Sequence, residues 1–305
     1  MSGVELHDER VETNVALVSR LLAAQFPQWA ALPIAPVPSA GTDNALYRLG
    51  DDLVVRLPRV GWAVAMVDKE YQWLPRLAPQ LPLPVPVPLA QGVPAEGYPW
   101  NWTVCQWLDG ETATVERITD SNQLAIDLAR FIAALQALDA SAGPAPGAHN
   151  GYRGEPLATR DANVRASIAA LNGLIDDATA TAVWDAALRT PNWDGPPVWF
   201  HGDLHPGNLL FLAGRLSAVI DFGLLAGGDP ALDVVAAWLL FSDEARSVFR
   251  AALAVDDGTW LRARGRALSF GVGVLSYYGD TNPVLSSVAR HALAEVLADF
   301  QRSGS

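Results

Sequence analysis

The chain has 305 residues, half of them hydrophobic, with a formal net charge of −12 at pH 7, so it can bury a sizeable core and disorder is excluded as its default state. One cysteine, Cys105, excludes an internal disulfide and suits a reducing, cytoplasmic compartment. The charge divides unevenly, 7 basic against 10 acidic residues in 1–108 and 14 against 23 in 109–305, which argues against nucleic acid as a partner because phosphate needs the opposite sign.

Residues 8–26 place Val11, Val15, Val18, Leu21 and Leu22 at helical spacing and predict a helix ending near Pro27. Three β-like runs follow, IAPVPSAG, NALYRLG and DLVVRLPR, with Gly50 to Asp52 as a hairpin turn. A helix is expected over about 62–77. Residues 81–94, LPLPVPVPLAQGVP, carry too many prolines for a helix and suit an extended edge strand, and WTVCQWL reads as a buried strand.

Beyond Asp109 the pattern turns helical, over 121–140, 162–189, 231–241, 243–254, 258–278 and 283–302, interrupted at 198–223. The fold class is therefore α+β. A β-rich part, 1–108, precedes a larger and mainly α-helical part, 109–305, with a crossover near 104–110. No apolar run of about 18 residues marks a membrane span, and the acidic opening MSGVELHDERVE lacks the apolar centre of a signal peptide. No membrane partner is expected, and the oligomeric state leaves no trace in the sequence.

The interrupting stretch reads VWFHGDLHPGNLLFLAGRLSAVIDFG. Apolar runs alternate with turn-forming clusters, which predicts a hairpin whose loop carries Asp203 and Asn208 and whose second strand ends at Asp221. Two carboxylates and an amide converging at one end of a hairpin need a cation between them, since a like-charge pair 4 Å apart costs roughly 4 kcal/mol at an effective dielectric near 20. Hard oxygen donors of this kind suit Mg²⁺. Two plainer readings stand beside this one. Asp in a Gly-Asp turn and Asn before a strand are ordinary turn residues. His201, Asp203 and His205 at i, i+2 and i+4 would share one face of a strand and suggest a metallohydrolase; that reading needs further ligands, and His7, His149 and His291 form no cluster with them.

The spacing from Asp203 to Asn208 is that of H-x-D-x-x-x-x-N, and Asp221 opens Asp-Phe-Gly. The chain here resembles the protein-kinase-like superfamily, and more closely its aminoglycoside phosphotransferase branch. His201, Gly202, Asp203, His205 and Asn208 match that branch's His-Gly-Asp-x-His-x-x-Asn, and Asp229 and Asp233 match its Gly-Asp-Pro-x-x-Asp segment. The resemblance implies a bilobal protein-kinase-like fold, with a nucleotide-binding N-lobe and a catalytic, acceptor-binding C-lobe on either side of a cleft. It also implies a Mg²⁺-dependent transfer of the γ-phosphoryl group of ATP or GTP to a hydroxyl of a small molecule, most plainly an aminoglycoside or similar antibiotic. In that scheme Asp203 accepts the hydroxyl proton, Asn208 and Asp221 hold the metal, and His201 and His205 hydrogen-bond the loop and fix the aim of Asp203.

By the same resemblance Arg56, on the third strand, and Glu70, on the next helix, form the phosphate-binding cation and its partner. The usual residue is lysine, and arginine is longer and planar; Arg56 also fits a strand-edge side chain whose charge reaches solvent. Lys69, the only lysine against twenty arginines, neighbours Glu70 but should point about 100° away from it. Ser39, Gly41, Thr42 and Asn44 lie where the phosphate cover belongs, though one glycine makes no G-x-G-x-x-G loop and an ordinary hairpin turn fits as well. Main-chain groups near Gln106, Trp107 and Leu108 would meet the base, with Trp107 also readable as a core residue.

Asp229, before Pro230, reads as a helix cap and Asp233 as a first-turn carboxylate at the positive end of the helix dipole, with support of the catalytic loop or acceptor binding as the other reading. Acidic candidates for the acceptor pocket are Asp161, Asp243, Glu244 and Asp280. The acidic second part would attract a polycation, and solubility alone explains it equally well. A macrolide, a sugar or an amino alcohol would keep the chemistry and change the pocket. A catalytically silent nucleotide-binding protein is the alternative of another class, supported by the arginine at position 56.

Overall fold

The first helix, α1 (Val15–Gln25), starts at Asn14, whose side chain accepts from Leu17 N at 2.9 Å, in a computed structural model that describes residues 10–38, 43–113, 120–279 and 281–303. The helix opens seven residues later than periodicity implied. Val11 N is engaged by Arg59 O at 2.9 Å and Thr13 Oγ1 by the Tyr47 hydroxyl at 3.0 Å, which ties residues 11–13 to other segments and leaves the Asn14 cap to set the start.

The chain divides into two compact units. The first takes in Met1–Pro79, Pro84–Asp109 and Ile220–Gly223, and the second Gln80–Leu83, Gly110–Val219 and Leu224–Ser305. Asp221 thus belongs with residues more than a hundred positions away in sequence.

In the first unit, strands β1 (Ile34–Val37), β2 (Asn44–Leu49), β3 (Leu53–Pro58), β4 (Pro88–Gly92) and β5 (Trp102–Gln106) form one antiparallel sheet in the order β1-β2-β3-β5-β4. Alternation along β3 buries Val55 and Leu57 in a core with Leu21, Leu22, Leu49, Trp102 and Val104. Arg56 projects to the opposite face, opposite Thr103 of β5. Helix α2 (Val64–Leu77) packs on β4 and β5 and buries Met66, Val67, Lys69, Glu70 and Leu74. The expected edge strand over 81–94 shrinks to β4. Pro82, Pro84 and Pro86 have no N–H to give a ladder, so pairing begins only at Pro88 and shifts register before Ala90.

The second unit is mainly helical: α3 (Ser121–Gln136), α4 (Asp161–Leu171), α5 (Asp177–Arg189), the short α6 (Ala231–Val234) and α7 (Ala236–Leu240), α8 (Asp243–Leu253), α9 (Asp257–Tyr278) and α10 (Pro283–Ser303). The helix expected over 162–189 is broken, because Asn172 and Gly173 take left-handed backbone (φ 44 and 83) and Asp176 caps a new helix by accepting from Thr179 N. Helix α3 stops at Gln136 rather than 140. No helix among the described residues is long and apolar enough to cross a membrane.

Strand pairing corrects the predicted hairpin. β7 (Val198–Phe200) pairs with β10 (Ala226–Gly228), while β8 (Leu209–Leu212) pairs with β9 (Arg215–Val219) and with the short β6 (Glu111–Thr112). The hairpin turn is Ala213-Gly214, both at positive φ, and the loop 201–208 instead joins two different sheets. Periodicity could not distinguish these pairings, since three short apolar runs can pair in several ways.

Candidate active site

Loop 201–208 is held from behind by one carboxylate. Asp233 Oδ2 accepts from His201 N at 2.8 Å and its Oδ1 from Gly202 N at 2.9 Å. Gly202 sits at φ 82, and a Cβ there would stand 3.1 Å from Leu224 O, so any side chain at this point would be strained. Asp233 is fully buried, and that burial pushes its carboxyl above the ordinary range, against the His201 ring and the two amides. It is thus the clamp of the loop rather than only a first-turn residue. Asp233→Asn leaves an amide N–H₂ facing a backbone donor, and we expect a loss of about 1–3 kcal/mol in urea unfolding, together with a fall in turnover.

Both histidines bond the loop backbone. His201 Nδ1 accepts from Asp203 N at 3.1 Å and His205 Nδ1 from Gly207 N at 3.1 Å. With Nδ1 of His205 accepting, its proton lies on Nε2, 3.7 Å from Asp203 Oδ2. This geometry does not suit the three-ligand metal reading of His201, Asp203 and His205, and among the described residues no group of three or more His, Cys, Asp or Glu is placed to hold a metal ion.

Asn208 Nδ2 donates to Asp203 O at 2.9 Å and to Asp203 Oδ2 at 3.3 Å. Arg153 Nη2 approaches Asp203 Oδ1 at 3.3 Å. Burial of Asp203 works against its charge, but the His205 ring and the positive charge of Arg153 outweigh it and hold the carboxyl well below the usual range. The group is therefore a carboxylate at neutral pH, able to accept a hydrogen bond from an alcohol.

In the first unit Arg56 Nη1 pairs with Glu70 Oε2, and Arg56 Nη2 lies 3.5 Å from Asp221 Oδ1. The Asn44 amide, turned so that both its ends are satisfied, accepts from Arg56 Nη2 at 3.0 Å and Nε at 3.3 Å. Burial works against the Arg56 charge, but Glu70 and Asp221 more than offset it and hold the guanidinium protonated. The Glu70 Oε1 atom is buried without a hydrogen-bond partner. Asp221 has left-handed backbone at φ 64, a conformation Asp tolerates better than most residues, and its side chain is 52% exposed.

Lys69 is buried on α2 beside Glu70, and burial pushes its ammonium down to about 8. The Trp107 ring is stacked by Arg48 at 4.0 Å, its Nε1 donates to Asp109 Oδ1 at 2.9 Å and its amide to Asp52 O at 2.7 Å. The amide of Gln106 donates to Val87 O at 3.3 Å. Leu108 is half-buried. Ser39, Gly41 and Thr42 lie outside the described residues, as do His7 and Asp280.

Asp229 is engaged twice over. Arg262 Nε meets its Oδ2 at 2.9 Å and Arg262 Nη2 its Oδ1 at 3.1 Å, Arg266 Nη2 lies 3.4 Å from Oδ2, and Ala231 N donates to Oδ1 at 2.9 Å. It both starts α6 and pins α9. The acceptor-side candidates have local partners: Asp161 binds Arg165 and the Trp184 indole, each at 2.8 Å, Asp243 binds Arg302 at 3.2 Å, and Glu244 binds Asn122 at 3.0 Å. Arg153, Arg262 and Arg266 were not singled out from sequence; nothing in their spacing marks the carboxylates they reach.

An antiparallel sheet with the helices α1 and α2, followed by a mainly helical unit that carries a His-Gly-Asp loop, defines the class of kinase-like phosphotransferases. The sequence pattern of the phosphotransferase enzyme family, which includes the aminoglycoside phosphotransferases, matches residues 35–268, and the chain belongs to that family. No curated protein matches it closely enough to count as a relative. Its fold is similar to that of a point variant of aminoglycoside 2'-phosphotransferase-IIIa in complex with GDP, at 20% identity and a TM-score of 0.72 over 96% of this chain and 100% of that one. It is similar to the GDP and kanamycin complex of APH(2")-IIIa, at 19% identity and a TM-score of 0.69 over 92% and 98%. The macrolide 2'-phosphotransferase MphH from Brachybacterium faecium shares the fold at 24% identity, with a TM-score of 0.59 over 92% and 98%.

Proposed function

We propose that this phosphotransferase moves the γ-phosphoryl group of ATP or GTP, with Mg²⁺, to a hydroxyl of a small molecule. The observation that carries the reading is the Asp203 constellation, a carboxylate kept ionised by its surroundings, aimed by two histidine-braced turns and tied to the Asn208 side chain. Phosphoryl transfer passes through a loose transition state, so a base that orients the alcohol and takes its proton late suffices, and a weakly basic carboxylate fits that task.

The donor set fits magnesium. Asn208 spends its amide nitrogen on Asp203, which leaves the oxygen as the atom it can offer, and the exposed Asp221 carboxylate supplies a hard anionic donor. Mg²⁺ asks little more of the protein, because it keeps waters and takes phosphate oxygens for the rest of its shell. When bound, the ion supplies charge neutralisation at the β- and γ-phosphates. Arg56, held straight by Glu70, provides a planar cation for phosphate oxygens. In this reading residues 1–108 form the nucleotide lobe, 109–305 the acceptor lobe and 104–110 the crossover, with main-chain groups of 106–108 and the segment of Ser39, Gly41, Thr42 and Asn44 serving the nucleotide. A cytoplasmic enzyme of antibiotic resistance is the first role to test, since solved proteins of similar fold are named for aminoglycosides and macrolides.

Mg-dependent nucleotide consumption across a panel of hydroxylated antibiotics and metabolites tests the function: acceptor-dependent turnover abolished by EDTA is expected, and consumption indifferent to magnesium and to every acceptor is the opposing result. Arg56→Ala should raise the KM for nucleotide about ten- to a hundredfold, the worth of one or two charge-assisted hydrogen bonds. An unchanged KM would remove Arg56 from the phosphate site.

A further inference from the structure

One guanidinium, that of Arg153, stands against Asp203, although the second unit as a whole is acidic. Arg153 faces Asp203 Oδ1 from a loop built to hold it there. Asn150, fully buried, accepts from Gly147 N at 3.0 Å through Oδ1 and donates to Arg153 O at 2.9 Å through Nδ2. Arg160 Nη2 donates to Gly151 O at 3.0 Å, fastening the same loop from its far side. Tyr152 takes left-handed backbone at φ 59 while its side chain is exposed, a strain of the kind that persists where surroundings enforce it. Gly154, at φ 102, is where the chain passes Pro146, with room for no Cβ.

Two further arginines, Arg160 and Arg266, hold the backbone of this loop. Arg262 and Arg266 both reach the Asp229 carboxylate, and Arg266 Nε is buried with no hydrogen-bond partner. Arg160 hydrogen-bonds a carbonyl rather than a carboxylate. Arg153, Arg160 and Glu155 act on one another electrostatically, while Arg262 lies between Asp229 and Asp256. Asp203 must in turn release part of its interaction with Arg153 to receive an alcohol, and Arg153, a third of whose side chain is exposed, is then left with an open donor fork beside that carboxylate.

We propose that Arg153 is a specificity residue that binds an oxyanion on the acceptor, so that the preferred substrate is an alcohol carrying a carboxylate or phosphate near the reacting hydroxyl and not a polycation. This rests on the phosphotransferase reading of Asp203. A cationic substituent at that place would meet Arg153 at close range in a partly desolvated site, where like charges repel strongly. A planar guanidinium matches an oxyanion with two parallel hydrogen bonds.

The test measures Mg-nucleotide turnover by the full chain with matched acceptors that differ in one group: glycerol, glycerate and serinol; sorbitol, gluconate and glucamine; glucose, glucuronate and glucosamine; with kanamycin beside them. The expected result is that the acid is the best acceptor in at least one set. Arg153→Gln should then raise the KM for that acid about ten- to a hundredfold, with the loss in KM rather than kcat, and Arg153→Lys should recover part of it. An amine or kanamycin as the best acceptor overturns the proposal. So does Arg153→Gln lowering kcat equally for all members of a set, which is the signature of a residue that merely positions Asp203. Turnover no higher than hydrolysis with every acceptor also overturns it; if that hydrolysis is lost in Asp203→Asn, the phosphotransfer reading stands while the acceptor assignment falls.

Discussion

Asp203→Asn should lower kcat by about 10²- to 10⁴-fold, the usual worth of a positioned general base, while the nucleotide binds nearly as before. The amide is close in shape to the carboxylate, and the loop clamp from Asp233 to His201 N and Gly202 N does not involve the Asp203 side chain. Lost are the negative charge that receives the alcohol proton and the partner of Arg153. Nucleotide affinity followed by calorimetry and turnover followed in parallel separate the two effects. A variant as active as the wild type would remove Asp203 from the chemistry, and a variant that no longer binds nucleotide would make it a structural residue. The proton inventory is simple. The carboxylate is held ionised far below neutral pH by the His205 ring and Arg153, so no acid limb from Asp203 is expected in the turnover profile between pH 6 and 8.

Asp229→Ala should cost about 3–5 kcal/mol of stability, the typical penalty for removing one member of a buried ion pair. Asp229 and Arg262 are each 6% exposed and share two hydrogen bonds, and Arg266 closes on the same carboxylate. Removal leaves two guanidinium groups facing one another away from water, on a helix that cannot move without disturbing α5 and α10. Urea unfolding should register the loss as a lower midpoint at unchanged slope, and heating as a fall in Tm on the order of 10 °C. The double substitution Asp229→Leu with Arg262→Leu should cost less than Asp229→Ala alone, since no orphaned charge remains at position 262. Equal stability of Asp229→Ala and wild type would mean that water reaches the pair freely.

The two arginine assignments bear on each other. Arg262 and Arg266 neutralise Asp229 and so complete a support behind the loop that carries Arg153, since Arg266 also donates to Glu155 O at 3.0 Å. An Asp229 variant that folds should therefore alter acceptor KM more than nucleotide KM, a difference that a general loss of stability does not produce.

Sequence alone settled the family, the α+β order and most elements whose pattern is local. Short β-prone runs on either side of a Gly-Asp-Asp turn made β2 and β3 legible, and helical spacing did the same for α2, α3 and α9, because such local patterns need no knowledge of the partner. The His-Gly-Asp and Asp-Phe-Gly signatures were legible because they are contiguous in the chain. Tertiary structure decided what contiguity cannot encode: that β7 joins β10 and leaves β8 to β9, that Asn172-Gly173 ends a helix, that Asp233 grips the backbone of residues 201 and 202, and that Arg153 stands against Asp203 across fifty positions of sequence. A side chain's pattern fixes which way it faces, but its partner is chosen by how distant segments pack, and charge pairing depends on distance in space, which net charge summed along the chain averages away.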